Sequence, residues 1–136
     1  MLLAVVDTNV YVYALVFGGT PAIVLQIAAT GAFGLVVSET IQEELEETLI
    51  RKFGWSASRF EDARTMLWLG ARWVNPIRPA RVSRDPDDDH VLACAVEARA
   101  QVILTGDRDL VSLHPYHGIS ILTPRQFLES RPWRDS

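Results

Sequence analysis

Asp7, Glu44, Asp89 and Asp107 are the side chains of this chain whose types and placement offer chemistry. Asp7 directly follows the apolar run LLAVV at 2–6, and Asp107 follows VILT in TGDRDL. Asp89 belongs to RDPDDDHVLACAV at 84–96, where aspartate fills four of the five positions 85–89 before the sequence turns apolar. Two carboxylates about 4 Å apart repel by roughly 4 kcal/mol at an effective dielectric near 20. A convergent set therefore takes up protons or a cation. Oxygen ligands without neighbouring Cys or His favour Mg²⁺ or Mn²⁺ over Zn²⁺. Carboxylate-held Mg²⁺ that keeps several waters is the usual machinery of phosphodiester hydrolysis, because it activates the attacking water and offsets charge on the leaving oxygen.

The elements that must position these acids are legible as alternating strands and helices. LLAVV, GLVV at 34–37, QVILT at 101–105 and GISIL at 118–122 read as buried strands, with a shorter one at 72–74. Asp7 or Thr8 can cap a helix through VYVYALVF, and Pro21 is placed to open a second through QIAAT. Ser38 caps ETIQEELEETLIRKF, with acids early, Arg51 and Lys52 late and Gly54 closing it. Further helices are expected over 56–70, from Asp85 and Pro86 to about Ala98, and from Pro124 through Glu129, with a loop over 75–84.

This order predicts an α/β three-layer sandwich, a central mainly parallel sheet flanked by helices, in a single domain over 1–136. Ligands of such sheets bind beyond the carboxyl ends of the strands, so Asp7 and Asp107 share one rim. At roughly 100° per residue, Asp89 shares a helix face with Leu92, Ala93 and Val96, while Asp85, Asp87 and Asp88 read as cap and first-turn charges. On the Ser38 helix, Glu44 is the acid nearest the stripe of Ile41, Leu45, Thr48 and Leu49, and Glu39, Glu43, Glu46 and Glu47 read as solvated.

The ordered set VVDTNV, SETIQEEL, RDPDDDHVLACA, TGDRDL and TPRQFL resembles the PIN-domain family, and looks most like the small bacterial VapC-like toxins of toxin–antitoxin pairs. The likeness spans nearly the whole chain. It implies a Mg²⁺- or Mn²⁺-dependent ribonuclease that cuts single-stranded or loop RNA, with Asp7, Glu44, Asp89 and Asp107 in the acidic positions. Thr8 and Asn9 then fall where the family has small polar residues that orient the first Asp, and Asp109 is an alternative to Asp107 or its support. The resemblance also implies a homodimer silenced by a cognate antitoxin. Phe53, Trp55, Met66, Leu67 and Trp68 are either apolar surface for such partners or ordinary core.

Composition bounds these readings. Thirteen basic against seventeen acidic residues give a net charge of −4, which lacks the footprint of a protein that holds nucleic acid by bulk charge. One cysteine, Cys94, excludes an intrachain disulfide, and the opening MLLAVVD is too short for a signal or a membrane span, so a soluble cytoplasmic protein with no membrane partner is expected. No GxxxxGK[ST] or GxGxxG loop supports a nucleotide-dependent enzyme. The competing reading is a catalytically silent PIN-fold module that binds RNA or protein. His114 and His117 lack the companions of a metal pair and read as surface residues, His90 lies beside the acids at a helix start, and Tyr11 and Tyr13 either pack or stack on bases.

Overall fold

A computed structural model describes residues 1–77 and 85–135. The expected loop over 75–84 therefore lies outside the described residues from 78 onward. Strands β1 (Leu3–Val6), β2 (Gly34–Val37), β3 (Arg72–Trp73), β4 (Val102–Leu104) and β5 (Ser120–Leu122) form one sheet in the order β3-β2-β1-β4-β5, and every pairing is parallel. The strands read as unbroken apolar runs because helices cover both faces: Ala4, Val5 and Val6 of the central strand are fully buried.

The helices are α1 (Thr8–Val16), α2 (Gly19–Ala29), α3 (Glu39–Phe53), α4 (Ala57–Leu67), α5 (Pro86–Ala98), α6 (Arg108–Val111) and α7 (Pro124–Ser130), followed by a 3₁₀ turn over Pro132–Asp135. Right-handed crossovers running outward through β1, β2 and β3 put α1–α4 on one face, and the return from β3 to β4 puts α5 on the other. Packing agrees: α1 lies against α2 and α3, while α5 lies against β1, β2 and β4. This is the expected three-layer α/β architecture. The direction of winding reverses between β1 and β4, so a crevice opens beyond the carboxyl ends of these two strands.

Local chemistry sets the ends of these elements. Ser38 Oγ accepts from the Ile41 N–H at 3.2 Å, and Gly54 closes α3 in the left-handed region at φ 69°. Helix α2 starts at Gly19, two residues ahead of the expected Pro21, because a first-turn N–H has no helical acceptor and proline can replace it there. Tyr11 is packed in the core and its hydroxyl accepts from Trp68 Nε1 at 3.2 Å, which removes it from base stacking. Trp55 and Trp68 are core residues, and Leu67 is partly buried, whereas Met66 and Phe53 are exposed. Among the described residues no single helix is long and apolar enough to cross a membrane.

Candidate metal-binding and active site

The crevice at the β1–β4 switch is a cavity of about 300 Å³ walled by carboxylates. Asp7 enters it as the residue after β1, Asp107 from the turn after β4, Glu44 from the second turn of α3, and Asp85, Asp87 and Asp88 from the start of α5. Three of the four acids expected from the sequence thus meet there. The fourth position differs: Asp88 lines the cavity, and Asp89 does not.

The reason is helix register. The buried stripe of α5 runs through Asp88, Val91, Leu92, Ala95 and Ala98, widened by Cys94, while Val96, expected on the inward face, is 51% exposed. Asp89 is also buried, at 6% exposure, but away from the carboxylate wall. Asp85 is the N-cap, as expected, its side chain accepting from the Asp87 N–H at 2.9 Å. It is more than a cap, because one oxygen each of Asp85, Asp88 and Asp107 lie within 4.8 Å of one another.

Hydroxyls fix the remaining acids. Thr105 Oγ1 donates to Asp7 Oδ2 at 2.9 Å and accepts from the Asp107 N–H at 3.0 Å, so one side chain links the rims of β1 and β4. Thr105 is not among the acids and neighbours expected at the site, although a threonine closing a strand two residues before an acid is its visible signal. Thr8 is buried and donates to Glu44 Oε2 at 2.9 Å, so it orients the α3 acid. Asn9 is exposed on the cavity wall. Asp109 is exposed outside the cavity, and its N–H donates to Asp107 Oδ1 at 2.9 Å in the cap of α6. Ser38 Oγ and His90 Nε2 are 2.7 Å apart, joining the start of α3 to α5, with Cys94 Sγ 3.4 Å from the same nitrogen. His114 Nδ1 accepts from the Ile121 N–H at 2.8 Å, which gives this histidine a structural role in holding β5.

The electrostatics match the crowding. Burial pushes Asp88 up to about 7, reinforced by the charges of Asp107, Asp85 and Asp7. Burial likewise raises Glu44 to about 7, opposed by the Thr8 hydroxyl and added to by Asp87 and Asp7. Asp7 is raised by burial, against the Thr105 hydrogen bond and with the push of Asp107. Asp88 is 4% exposed, and its Oδ2 has no hydrogen-bond partner among the described residues. A buried, unpartnered carboxylate oxygen beside two further acids is a donor set that fits a hard divalent cation.

Residues 4–109 match the PIN domain family. This chain belongs to that family. The PIN domain protein is 28% identical over 138 residues to an uncharacterized protein of Methanocaldococcus jannaschii, a match covering 92% of this chain and 88% of the relative. Its fold is shared with a chain in the crystal structure of VapBC2 from Rickettsia felis bound to a DNA fragment from their promoter. The TM-score is 0.62 at 10% identity, over 88% of this chain and 97% of that one. The span matched to the PIN family includes Asp7, Glu44, Asp88 and Asp107, the half-buried and buried acids of the cavity.

Proposed function

We propose that this PIN domain protein is a ribonuclease that hydrolyses RNA phosphodiester bonds with Mg²⁺ or Mn²⁺, and that it is the toxin of a toxin–antitoxin pair. Asp7, Glu44, Asp88 and Asp107 are the acids assigned to hold metal, with Asp85 as a further ligand to the Asp88–Asp107 side. The observation that carries this reading is the unpartnered Oδ2 of Asp88, buried among acids in the crevice at the sheet's switch point. When bound, a divalent ion would supply an activated water and charge for the leaving oxygen. The chain's own part is positional. Thr105 holds Asp7 and Asp107 at a fixed spacing, Thr8 holds Glu44, and the cap of α5 holds Asp85 beside Asp88.

The toxin assignment is supported by the fold shared with a chain of the VapBC2 complex, and by apolar side chains left in solvent, Phe17, Met66 and Leu69 among them. In this reading a homodimer and a cognate antitoxin cover such surface. The test is cleavage of single-stranded RNA by purified protein. Cleavage should require Mg²⁺ or Mn²⁺, stop with EDTA, and fall at least about a hundredfold in Asp7→Asn and Asp88→Asn, the scale on which loss of a catalytic group registers. Equal cleavage by wild type and both variants would place the activity elsewhere, and RNA binding without metal-dependent cleavage would leave a silent module. Growth arrest on induced expression of wild type, absent for Asp7→Asn, tests the toxin role.

A further inference from the structure

A second cavity of about 360 Å³ adjoins the carboxylate crevice, and the two share Asn9 and Asp107. We infer that it is a nucleobase subsite, in which one unstacked base of the substrate strand lies on Tyr13 while the neighbouring phosphate sits among the acids. This rests on the ribonuclease reading and extends it to how the substrate is held. The other walls are Val10, Pro21, Gly106 and Pro124, apolar or small groups that bring no charge, and the volume is in the range of small-ligand sites, about 300–1,000 Å³.

Tyr13 is 58% exposed although Tyr11, on the same helix, is wholly buried. Its ring is buttressed: Phe17 lies 5.6 Å away, tilted by 38°, and Phe53 backs Phe17 at 6.0 Å. A single exposed aromatic is unremarkable on a protein surface. This one lines the cavity that adjoins the acidic crevice, with neighbouring rings packed against it. Electrostatics give the same answer. Among the described residues the crevice is lined by acids and neutral groups with no Lys or Arg, so base stacking adds affinity that these side chains do not themselves offer a phosphate. Stacking tolerates any base, whereas the exposed Asn9 amide, which both donates and accepts, stands where it can read a base edge.

The experiment mixes the protein and Mn²⁺ in a stopped flow with single-stranded RNA carrying 2-aminopurine, and follows fluorescence and then cleavage. Wild type should quench the probe before cutting. Tyr13→Ala should lose the quench and raise KM about tenfold, Tyr13→Phe should keep both, and Mn²⁺ affinity should be unchanged in each, which also shows that the variants are folded. A Tyr13→Ala variant with wild-type quench and KM overturns the subsite alone. A wild type that neither quenches nor cuts overturns the ribonuclease reading and the subsite with it.

Discussion

One residue of helix register decides which aspartate of the 87–89 run lines the carboxylate crevice from the inward face of α5. Sequence spacing brought the inward stripe to Asp89 through Leu92, Ala93 and Val96, but the core selected Val91, Leu92 and Ala95, which turns Asp88 inward. An apolar run with small residues on every side, VLACAVEA, has no sharp polar boundary to fix the phase, and adjacent positions differ by only 100°. Isothermal titration with Mn²⁺ separates the two acids. Asp88→Asn should weaken binding at least tenfold, while Asp89→Asn should bind as wild type does. Thr105 is tested the same way. Thr105→Val keeps the shape but leaves the Asp107 N–H without its acceptor and removes the bond that favours charged Asp7. Mn²⁺ affinity should drop about 10- to 100-fold, the usual effect of losing a residue that orients a ligand, and Thr105→Ser should restore most of it.

At the scale of elements, helix starts with explicit caps were legible, whereas the helix begun at Ser56 stops at Leu67 rather than Gly70. Ser38 and Gly54 bound α3, Asp85 and Pro86 start α5, and Thr123 with Gln126 forms a capping box on α7. Elements defined by long-range pairing were less so: β4 and β5 are each three residues, shorter than their apolar runs, because strand ends depend on partners that the local sequence does not display. Helix α6, four residues capped by Asp107, carries no periodic signal at all. The contact between α3 and α5 was equally hidden, since Ser38 and His90 are 52 positions apart. That contact ties the helix bearing Glu44 to the helix bearing Asp88. Ser38→Ala removes an N-cap worth about 1 kcal/mol and the His90 partner together. Urea unfolding of Ser38→Ala, His90→Phe and the double variant should give a coupling energy of about 0.5 kcal/mol or more, since contacting residues are non-additive. Strict additivity would show that the Ser38–His90 contact does not couple the two helices.

At the scale of the molecule, the acidic crevice makes stability depend on pH and metal in opposite senses. Glu44 and Asp88 lose their protons near their ordinary values of 4.5 and 3.8 in the unfolded chain, but near 7 in the folded protein, and Asp7 is raised as well. Between these limits the folded state holds more protons than the unfolded state, so the stability of unfolding falls as pH rises. The contribution is fully present below the unfolded values and is gone once pH passes about 7. A divalent ion requires the deprotonated carboxylates, so its affinity climbs through the same window, and binding to the folded state alone adds stability by mass action. Thermal denaturation in EDTA should therefore show Tm declining from pH 5 to pH 8, whereas the Tm increase caused by Mn²⁺ should grow over that range. The double variant Glu44→Gln with Asp88→Asn should flatten the decline in EDTA and respond little to Mn²⁺, because the groups that exchange protons for metal are no longer there. If Tm in EDTA climbed steadily over the same range in wild type, the acids would be separated and solvated, and the crevice would have no reason to bind a cation.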